Sequence, residues 1–327
     1  MEDTNGDGKV DKRTIFIDDV ILPRTITLVQ GGILYADHTK LYFAEVLDGL
    51  KLGIHEVVDP TYAKGGSLEH KPNTMLHGLD NWYYNSKSSK KYKTLPLDAK
   101  VPADSKEIYR NKYWKLVLGT SDSRGQWGLS MDDYGRLYHN HNSSVASGEY
   151  LRPGSLLKNK DYRGRIGTSR IGSNRVYPIR INPGVNRGYI KGTLIGEGKD
   201  KGKLANFTAA SGNVVYRGDN FPAKFYGISV TPEPAANLIS ARTIIEKEGS
   251  LGGKELFPQA EILASTDERF RPVNLYTAPD GTLYILDMYH GILQHKVYVT
   301  TYLRRQILAR NLDKNNNTMG RIYRLRW

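Results

Sequence analysis

One histidine and three arginines stand at similar distances before tyrosines of the chain. His70 and Arg124 each lie 14 residues before a tyrosine, and Arg271 and Arg269 lie 13 and 15 residues before another. Arginine makes planar, bidentate hydrogen bonds to carboxylates, and histidine accepts a proton near neutral pH. If the four side chains converge, they predict a positive pocket for a flat, multiply anionic ligand. The alternative is that these side chains satisfy backbone groups in loops at the tops of the blades.

These tyrosines belong to a repeated pattern of strand, turn and strand. Residues 269–287 read RFRPVNLYTAPDGTLYILD, in which two runs of strand-forming residues flank a Pro-Asp-Gly turn. Related stretches end in the marker residues Tyr35, Tyr84, Tyr138, Val230 and Tyr284. The intervals are 49, 54, 92 and 54 residues, and three of them lie near the period of about 40–50 residues of four-stranded propeller blades. Equal offsets from the markers would place side chains of different blades at similar depth around one axis.

The pattern predicts one all-β domain with few other elements. Residues 1–327 are predicted to be a single β-propeller domain that is truncated at its N-terminus, with an inserted basic loop region at residues 150–205. Residues 13–20 are predicted to be a strand. The one predicted helix covers residues 300–311, where threonines cap a stripe formed by Leu303, Ile307 and Leu308.

Composition excludes several classes of function. The chain has 47 Lys and Arg against 34 Asp and Glu, a net charge of +13. Because the basic residues occur along the whole chain and no recognition motif accompanies them, we expect a generally basic surface and no nucleic-acid partner. The absence of cysteine excludes disulfides, thiolate metal sites and covalently attached c-type haem. No apolar run reaches membrane-spanning length, and the N-terminus has no hydrophobic signal region.

Residues 1–12 form an acidic loop of a calcium-binding type. Its D-x-N-x-D-G spacing lets alternate oxygen side chains converge on one hard cation. The candidate metal ligands are Asp3, Asn5, Asp7 and Asp11. The twelfth position is Thr14 and not a bidentate glutamate, so calcium binding competes with a plain acidic turn.

Four short motifs follow one another along the chain: HKPN at residues 70–73, RGQWGL at 124–129, YRGDNFP at 216–222 and RFR at 269–271. They resemble the H-x-G-G, R-N-P-Q-G-L, Y-x-G-D-x-F-P and R-x-R segments of the soluble glucose and sorbosone type of quinoprotein sugar dehydrogenase. These enzymes are six-bladed propellers that bind pyrroloquinoline quinone. The chain resembles more closely their relatives in large bacterial proteins, the propeller–cytochrome c "membrane-bound dehydrogenase" proteins.

The resemblance implies a fold and an activity. Since five markers are visible, a six-bladed propeller would lack most of its first blade here. His70 would take the hydroxyl proton of a sugar or related polyol while hydride passes to the quinone. Arg124, Arg269 and Arg271 would hold the quinone, and a bound calcium ion would polarise it. A cytochrome c-type acceptor in another domain or protein, and a periplasmic or extracellular location, are implied as well.

Some residues depart from the family pattern. Pro72 and Asn73 replace two glycines, and Gly125 replaces an asparagine. Glu233 stands where the family often has a basic residue, and its carboxylate would repel an anionic cofactor. The alternative function is therefore a non-catalytic propeller that binds carbohydrate or a protein partner.

Three further places could hold functional side chains. His139 and His141 alternate along a predicted strand, so they could share one face and bind a metal, or could lie at a blade edge. His290 and His295 are expected to be structural or rim residues. Asp287 could ligate calcium, but we expect it to bond backbone within a turn.

Overall fold

Five antiparallel sheets and one α-helix make up the regular structure of the described residues. The structure is a computed structural model that describes residues 1–156, 159, 161–162, 167–316 and 319–327. The chain divides into two compact units, Met1–Ser123 with two sheets and Arg124–Trp327 with three. The chain is thus an all-β protein built of propeller-type blades, with one helix.

The first unit contains blades 1 and 2. Blade 1 consists of β1 (Thr25–Val29), β2 (Gly32–Ala36), β3 (Leu41–Leu47) and β4 (Lys51–Asp59), paired in chain order. Blade 2 consists of β5 (Asn73–His77), β6 (Tyr83–Ser86), β7 (Lys90–Leu95), β8 (Lys106–Arg110) and β9 (Lys115–Thr120), paired in the order β5-β6-β7-β9-β8. One core cluster takes buried residues from both blades, among them Leu34, Phe43, Tyr92 and Trp114.

The second unit contains blades 3, 4 and 5. Blade 3 consists of β10 (Leu129–Met131), β11 (Leu137–His141), β12 (Ser144–Glu149) and β13 (Thr168–Arg170). Blade 4 consists of β14 (Val214–Val215), β15 (Ser229–Glu233), β16 (Leu238–Lys247) and β17 (Ser250–Glu255), and β18 (Leu263–Ala264) also pairs with β16. Blade 5 consists of β19 (Pro272–Thr277), β20 (Leu283–Asp287) and β21 (Arg321–Leu325), and the helix α1 (Thr301–Ala309) lies in the connection between β20 and β21.

The repeat read from the sequence corresponds to these five sheets. Each marker lies on the second strand of its blade, namely on β2, β6, β11, β15 and β20. First strands lie between blades, because β1 contacts β5 in the first unit and β14 contacts both β10 and β19 in the second, but β15 also contacts β19 and β13 also contacts β17. The markers therefore identify every blade.

The blade count corrects the prediction of a six-bladed propeller. Five blades are present in the described residues, and residues 13–20 form no strand. Instead, Phe16, Ile17 and Val20 pack against a buried cluster of blade 1 that contains Ile33 and Tyr35. Because blade 1 already has four strands of its own, this segment uses its apolar side chains to cover the blade and does not extend a sheet.

The predicted helix is confirmed. Thr300 is its N-cap, and the side-chain oxygen accepts a hydrogen bond from the Leu303 amide at 3.2 Å. Leu303 and Ile307 are buried, as predicted, but Leu308 is 55% exposed. A residue that follows Ile307 directly lies about 100° around the helix from it, so Leu308 leaves the buried stripe. Leu312, beyond the helix, completes the cluster.

Apart from β13, the described part of the inserted region is held by turns and isolated bridges. Arg175 bridges to Asn206, and Leu194 bridges to Leu204. Buried residues of this region, including Val185, pack into a core cluster with residues of blades 3 and 4. In the part of the chain that the structure describes, no helix has the length and apolar character needed to cross a membrane.

Candidate functional site

His70 lies on the loop that leads into β5, in the first unit. Its side chain is 42% exposed, and its Nε2 atom lies 3.9 Å from the Glu69 Oε2 atom. The His70 amide donates to the Ser67 carbonyl at 3.2 Å, which holds the loop in a turn. An accessible imidazole beside a carboxylate can accept a proton from a ligand hydroxyl. Its convergence with the three arginines, which belong to the second unit, stays a prediction.

Arg124 forms a buried ion pair. Its Nε atom lies 2.5 Å from Oε1 of Glu149 at the end of β12, and both side chains are almost fully buried. The next residue, Gly125, has φ +53°, and a Cβ there would lie 2.9 Å from the Asn140 carbonyl oxygen. The departure from the family asparagine thus has a local cause, since the loop runs close against β11. Glu149 was not predicted, because nothing in its sequence neighbourhood marks it as the partner.

His139 lies beside this ion pair on β11. Its Nε2 atom is 3.6 Å from Glu149 Oε1, and its buried Nδ1 atom has no hydrogen-bond partner among the described residues. Burial, with the positive charges of His141 and Arg124, lowers the pKa of His139 to about 4. His139 is therefore a neutral imidazole at physiological pH.

A metal site built on His139 and His141 is not supported. Their ring centroids are 6.3 Å apart, and a register shift in β11 separates the two residues. The described part of the chain holds no group of three or more histidine, cysteine or acidic side chains that could bind a metal ion.

Arg271 is buried and bonds to backbone on two sides. Its Nη1 atom donates to the Pro234 carbonyl at 2.6 Å and its Nε atom donates to the His290 carbonyl at 3.1 Å. Its own amide donates to the Asp287 carboxylate at 2.7 Å. Asp287 also accepts from the Tyr289 amide two residues later at 2.8 Å, which is the predicted backbone bond within a turn. Burial lowers the pKa of Arg271 to about 10, although nearby carboxylates oppose this shift. The side chain ties blade 5 to the turn that follows β15.

Arg269 fastens the segment that follows α1. Its Nη1 atom donates to Asn316 Oδ1 at 2.8 Å, and its Nη2 atom donates to the carbonyls of Asn311 and Lys314 at 2.9 and 2.8 Å. Arg269 and Arg271 thus donate to groups of the protein itself, most of them backbone carbonyls of other loops.

Glu233, which stands where the resembling family often has a basic residue, is fully buried. Its carboxylate accepts backbone hydrogen bonds from Thr208 at 3.0 Å, Ala209 at 2.9 Å and Ala235 at 3.1 Å. Burial raises the pKa of Glu233 to about 7, while these three amides and Arg271 act in the opposite direction. Glu233 thus joins the chain after the inserted region to the end of β15.

The acidic N-terminal loop is closed by its own hydrogen bonds. Asp3 accepts from the amides of Gly6 at 2.7 Å and Gly8 at 2.8 Å, and Asn5 and Asp7 accept from the amides two residues later. Asp11 accepts from the amide and hydroxyl of Thr4, and these bonds lower the pKa of Asp11. The oxygens are thus directed at backbone donors, and calcium binding by this loop stays a prediction.

Several solved structures resemble the chain at low identity. A glucose dehydrogenase is 13% identical with a TM-score of 0.38, and the match covers 84% of this chain and 95% of the glucose dehydrogenase chain. The soluble aldose sugar dehydrogenase from Escherichia coli is 13% identical with a TM-score of 0.35, covering 82% and 93%. The PQQ-bound aldose sugar dehydrogenase from Streptomyces coelicolor is 14% identical with a TM-score of 0.37, covering 78% and 68%. Similarities of this size assign neither substrate nor cofactor to this chain.

A family model does match the chain over its full length. No curated protein matches it. The model described as "Domain of unknown function (DUF7133)" matches residues 1–327. The chain therefore belongs to the DUF7133 family.

Proposed function

We propose that this chain oxidises a sugar or a related polyol to a carbonyl compound: His70 takes the hydroxyl proton, and a two-electron acceptor from solution, for which the assay dye stands in, takes the hydride of the same carbon. The observation that carries the proposal is the accessible His70 imidazole with the Glu69 carboxylate 3.9 Å away. The four sequence motifs that resemble the sugar dehydrogenases support the same substrate class.

The arginines do not fit the quinone as the resemblance implied. Pyrroloquinoline quinone is multiply anionic and needs guanidinium groups that face it. Arg124 is paired with Glu149, and Arg271 donates to two backbone carbonyls. The buried Glu233 adds a carboxylate in place of a basic residue. We therefore derive no step through the quinone or through calcium. A cytochrome c-type protein as electron acceptor and a periplasmic or extracellular location remain parts of the proposal.

The activity is tested by dye reduction with a panel of sugars and polyols, with and without added quinone and calcium. His70→Asn should lower kcat about 100- to 10,000-fold, because a lost general base affects the chemical step. Sugar affinity should stay within about threefold. The matched control is His38→Asn, a partly buried histidine of the same unit, which should keep full activity. Equal activity of the two variants would exclude His70 as the base.

The second candidate is a non-catalytic propeller that binds carbohydrate or a protein partner. The observation that favours it is the engagement of Arg124, Arg269 and Arg271 in contacts within the protein. A chain of this kind would bind a sugar in calorimetry but would reduce no dye under any cofactor condition. Calorimetry with calcium, on the natural chain and on Asp7→Ala, tests the acidic loop in the same experiment.

A further inference from the structure

The loop that carries His70, residues 60–72, has an open tip. It connects β4 of blade 1 to β5 of blade 2. At the tip, residues 64–67 are exposed, and Gly65 and Gly66 have φ of +77° and +72°. A Cβ added at either glycine would meet no atom of the described residues within 4 Å. Because the tip packs so loosely, the placement of the imidazole depends on the contacts on either side of His70.

Arg24 holds the loop two residues before His70. Its Nη2 atom donates to the Leu68 carbonyl at 2.9 Å. Its own amide donates to the Ala36 carbonyl at 2.8 Å, beside the first pair of the β1–β2 ladder, Thr25 and Ala36. A guanidinium keeps its charge throughout the physiological pH range, and a charged donor makes a stronger hydrogen bond than a neutral one. Arg24 thus ties the chain before His70 to the sheet of blade 1.

Lys71 holds the loop directly after His70. The residue is only 5% exposed, and its Nζ atom donates to the Ala63 carbonyl at 2.9 Å. The Ala63 amide in turn donates to the Thr39 carbonyl at 2.9 Å, in the connection between β2 and β3. Burying an ammonium group is costly unless it is hydrogen-bonded, so this contact opposes movement of the Lys71 backbone. The end of the loop is therefore tied to its beginning and to blade 1.

The two contacts place His70 between fixed neighbours. Cationic side chains hold the chain on both sides of it, whereas the His70 side chain is 42% exposed and can reach a ligand. We propose that Arg24 and Lys71 are positioning residues, which fix the direction of the His70 imidazole toward the substrate hydroxyl. This inference rests on the proposed oxidation. Neither residue touches the substrate, and each acts through the backbone next to His70.

The first measurement is the dye-reduction kinetics of variants. Lys71→Met keeps the unbranched stem and removes the donor, and Arg24→Gln removes the guanidinium. Each should lower kcat about 10- to 100-fold and keep KM within about threefold, because a displacement of about 1 Å at the reacting group slows the chemical step by such a factor. Arg24→Lys retains a charged donor and should recover part of the rate. The control is Lys51→Met, at an exposed position on β4 of the same unit, which should keep the natural kcat.

The second measurement follows the His70 imidazole without turnover. Diethyl pyrocarbonate acylates neutral imidazoles, and mass spectrometry of the digested protein gives the acylation rate at each histidine. Loss of either contact should raise the rate at His70 about 3- to 10-fold, because a loop held by fewer contacts opens more often. His295, an exposed histidine of the second unit, should react at the natural rate in every variant and thereby reports that the fold is kept.

Two outcomes would overturn the positioning role alone. They are an unchanged His70 acylation rate in both Lys71→Met and Arg24→Gln, and a raised rate with the natural kcat, which would show that the contacts only brace the loop. If the natural chain reduces no dye with any sugar or polyol, the proposed oxidation fails first and the positioning role fails with it. If Lys71→Met does not fold, the two Arg24 variants, which change an exposed contact, decide between these outcomes.

Discussion

At the scale of single residues, charged side chains of the second unit are used to hold the chain together. Arg124 forms a buried ion pair with Glu149. The buried Arg271 side chain donates hydrogen bonds to two backbone carbonyls. Removing one member of a buried ion pair leaves an uncompensated charge, which typically destabilises a protein by about 3–5 kcal/mol. If a variant of Arg124 or Arg271 loses function, the first explanation to test is therefore that the variant is unfolded, and loss of a ligand contact comes second.

Glu233 should make stability depend on pH. The folded pKa of about 7 lies above the ordinary value of 4.5, so the folded protein binds this proton more tightly than the unfolded chain. The stabilising contribution is fully present below pH 4.5 and is lost as the pH rises through 7. The free energy of unfolding should fall between pH 5 and pH 8, relative to Glu233→Gln, on the order of 3 kcal/mol.

Denaturant unfolding at several pH values measures this difference. The lowered pKa of His139 acts in the opposite direction, but it is present in both proteins and cancels in the comparison. Glu248→Gln, at a side chain that is 84% exposed, is the control and should follow the natural chain at every pH. Parallel stability curves for the natural chain and Glu233→Gln would contradict the prediction.

At the scale of elements, loops that cross between strands place the candidate side chains. The Pro234 carbonyl, in the loop after β15, accepts a hydrogen bond from the Arg271 side chain. The Glu233 carboxylate accepts hydrogen bonds from the backbone amides of Thr208 and Ala209. These contacts join the chain that follows the inserted region to blades 4 and 5. The insertion itself is held by Arg180, which donates to Asn237 Oδ1 at 3.1 Å, as well as by its core cluster.

The helix α1 offers a test of one element. Leu303→Ala should destabilise the protein by about 2–5 kcal/mol, because it opens a cavity in the cluster with Ile307 and Leu312. Leu308→Ala removes the same atoms from an exposed position and should change stability by less than about 0.5 kcal/mol. Thermal unfolding of the two variants measures the difference, and equal losses would contradict the placement of the buried stripe.

At the scale of the whole molecule, five repeated sheets carry a basic insertion. In blades 2 and 3 the marker tyrosine bonds to the aspartate of its own turn. Tyr84 donates to Asp80 Oδ2 at 2.6 Å, and Tyr138 donates to Asp132 Oδ2 at 3.0 Å. In these two blades, a hydrogen bond between the turn and the second strand therefore stabilises the repeated hairpin.

The turn contact predicts unequal effects of one substitution in three blades. Tyr84→Phe and Tyr138→Phe should each lower the free energy of unfolding by about 0.5–1.5 kcal/mol, since each loses a hydrogen bond. Tyr284→Phe in blade 5 should have a smaller effect, because the Tyr284 hydroxyl has no hydrogen-bond partner in the described ranges. Urea unfolding compares the three variants. A loss at Tyr284 as large as at Tyr84 would contradict this account.

Local sequence determined the blades and the helix of this protein. The turn and strand pattern around each marker, and the threonine cap before Leu303, depend on residues that are close in the chain, so propensity and periodicity predict them. Tertiary structure alone decided the partners of the charged side chains. Glu149 at the end of β12 lies 25 residues from Arg124, which precedes β10 of the same blade, and Pro234 of blade 4 lies 37 residues from Arg271 of blade 5. Pairings at such separations depend on how distant segments of the chain pack.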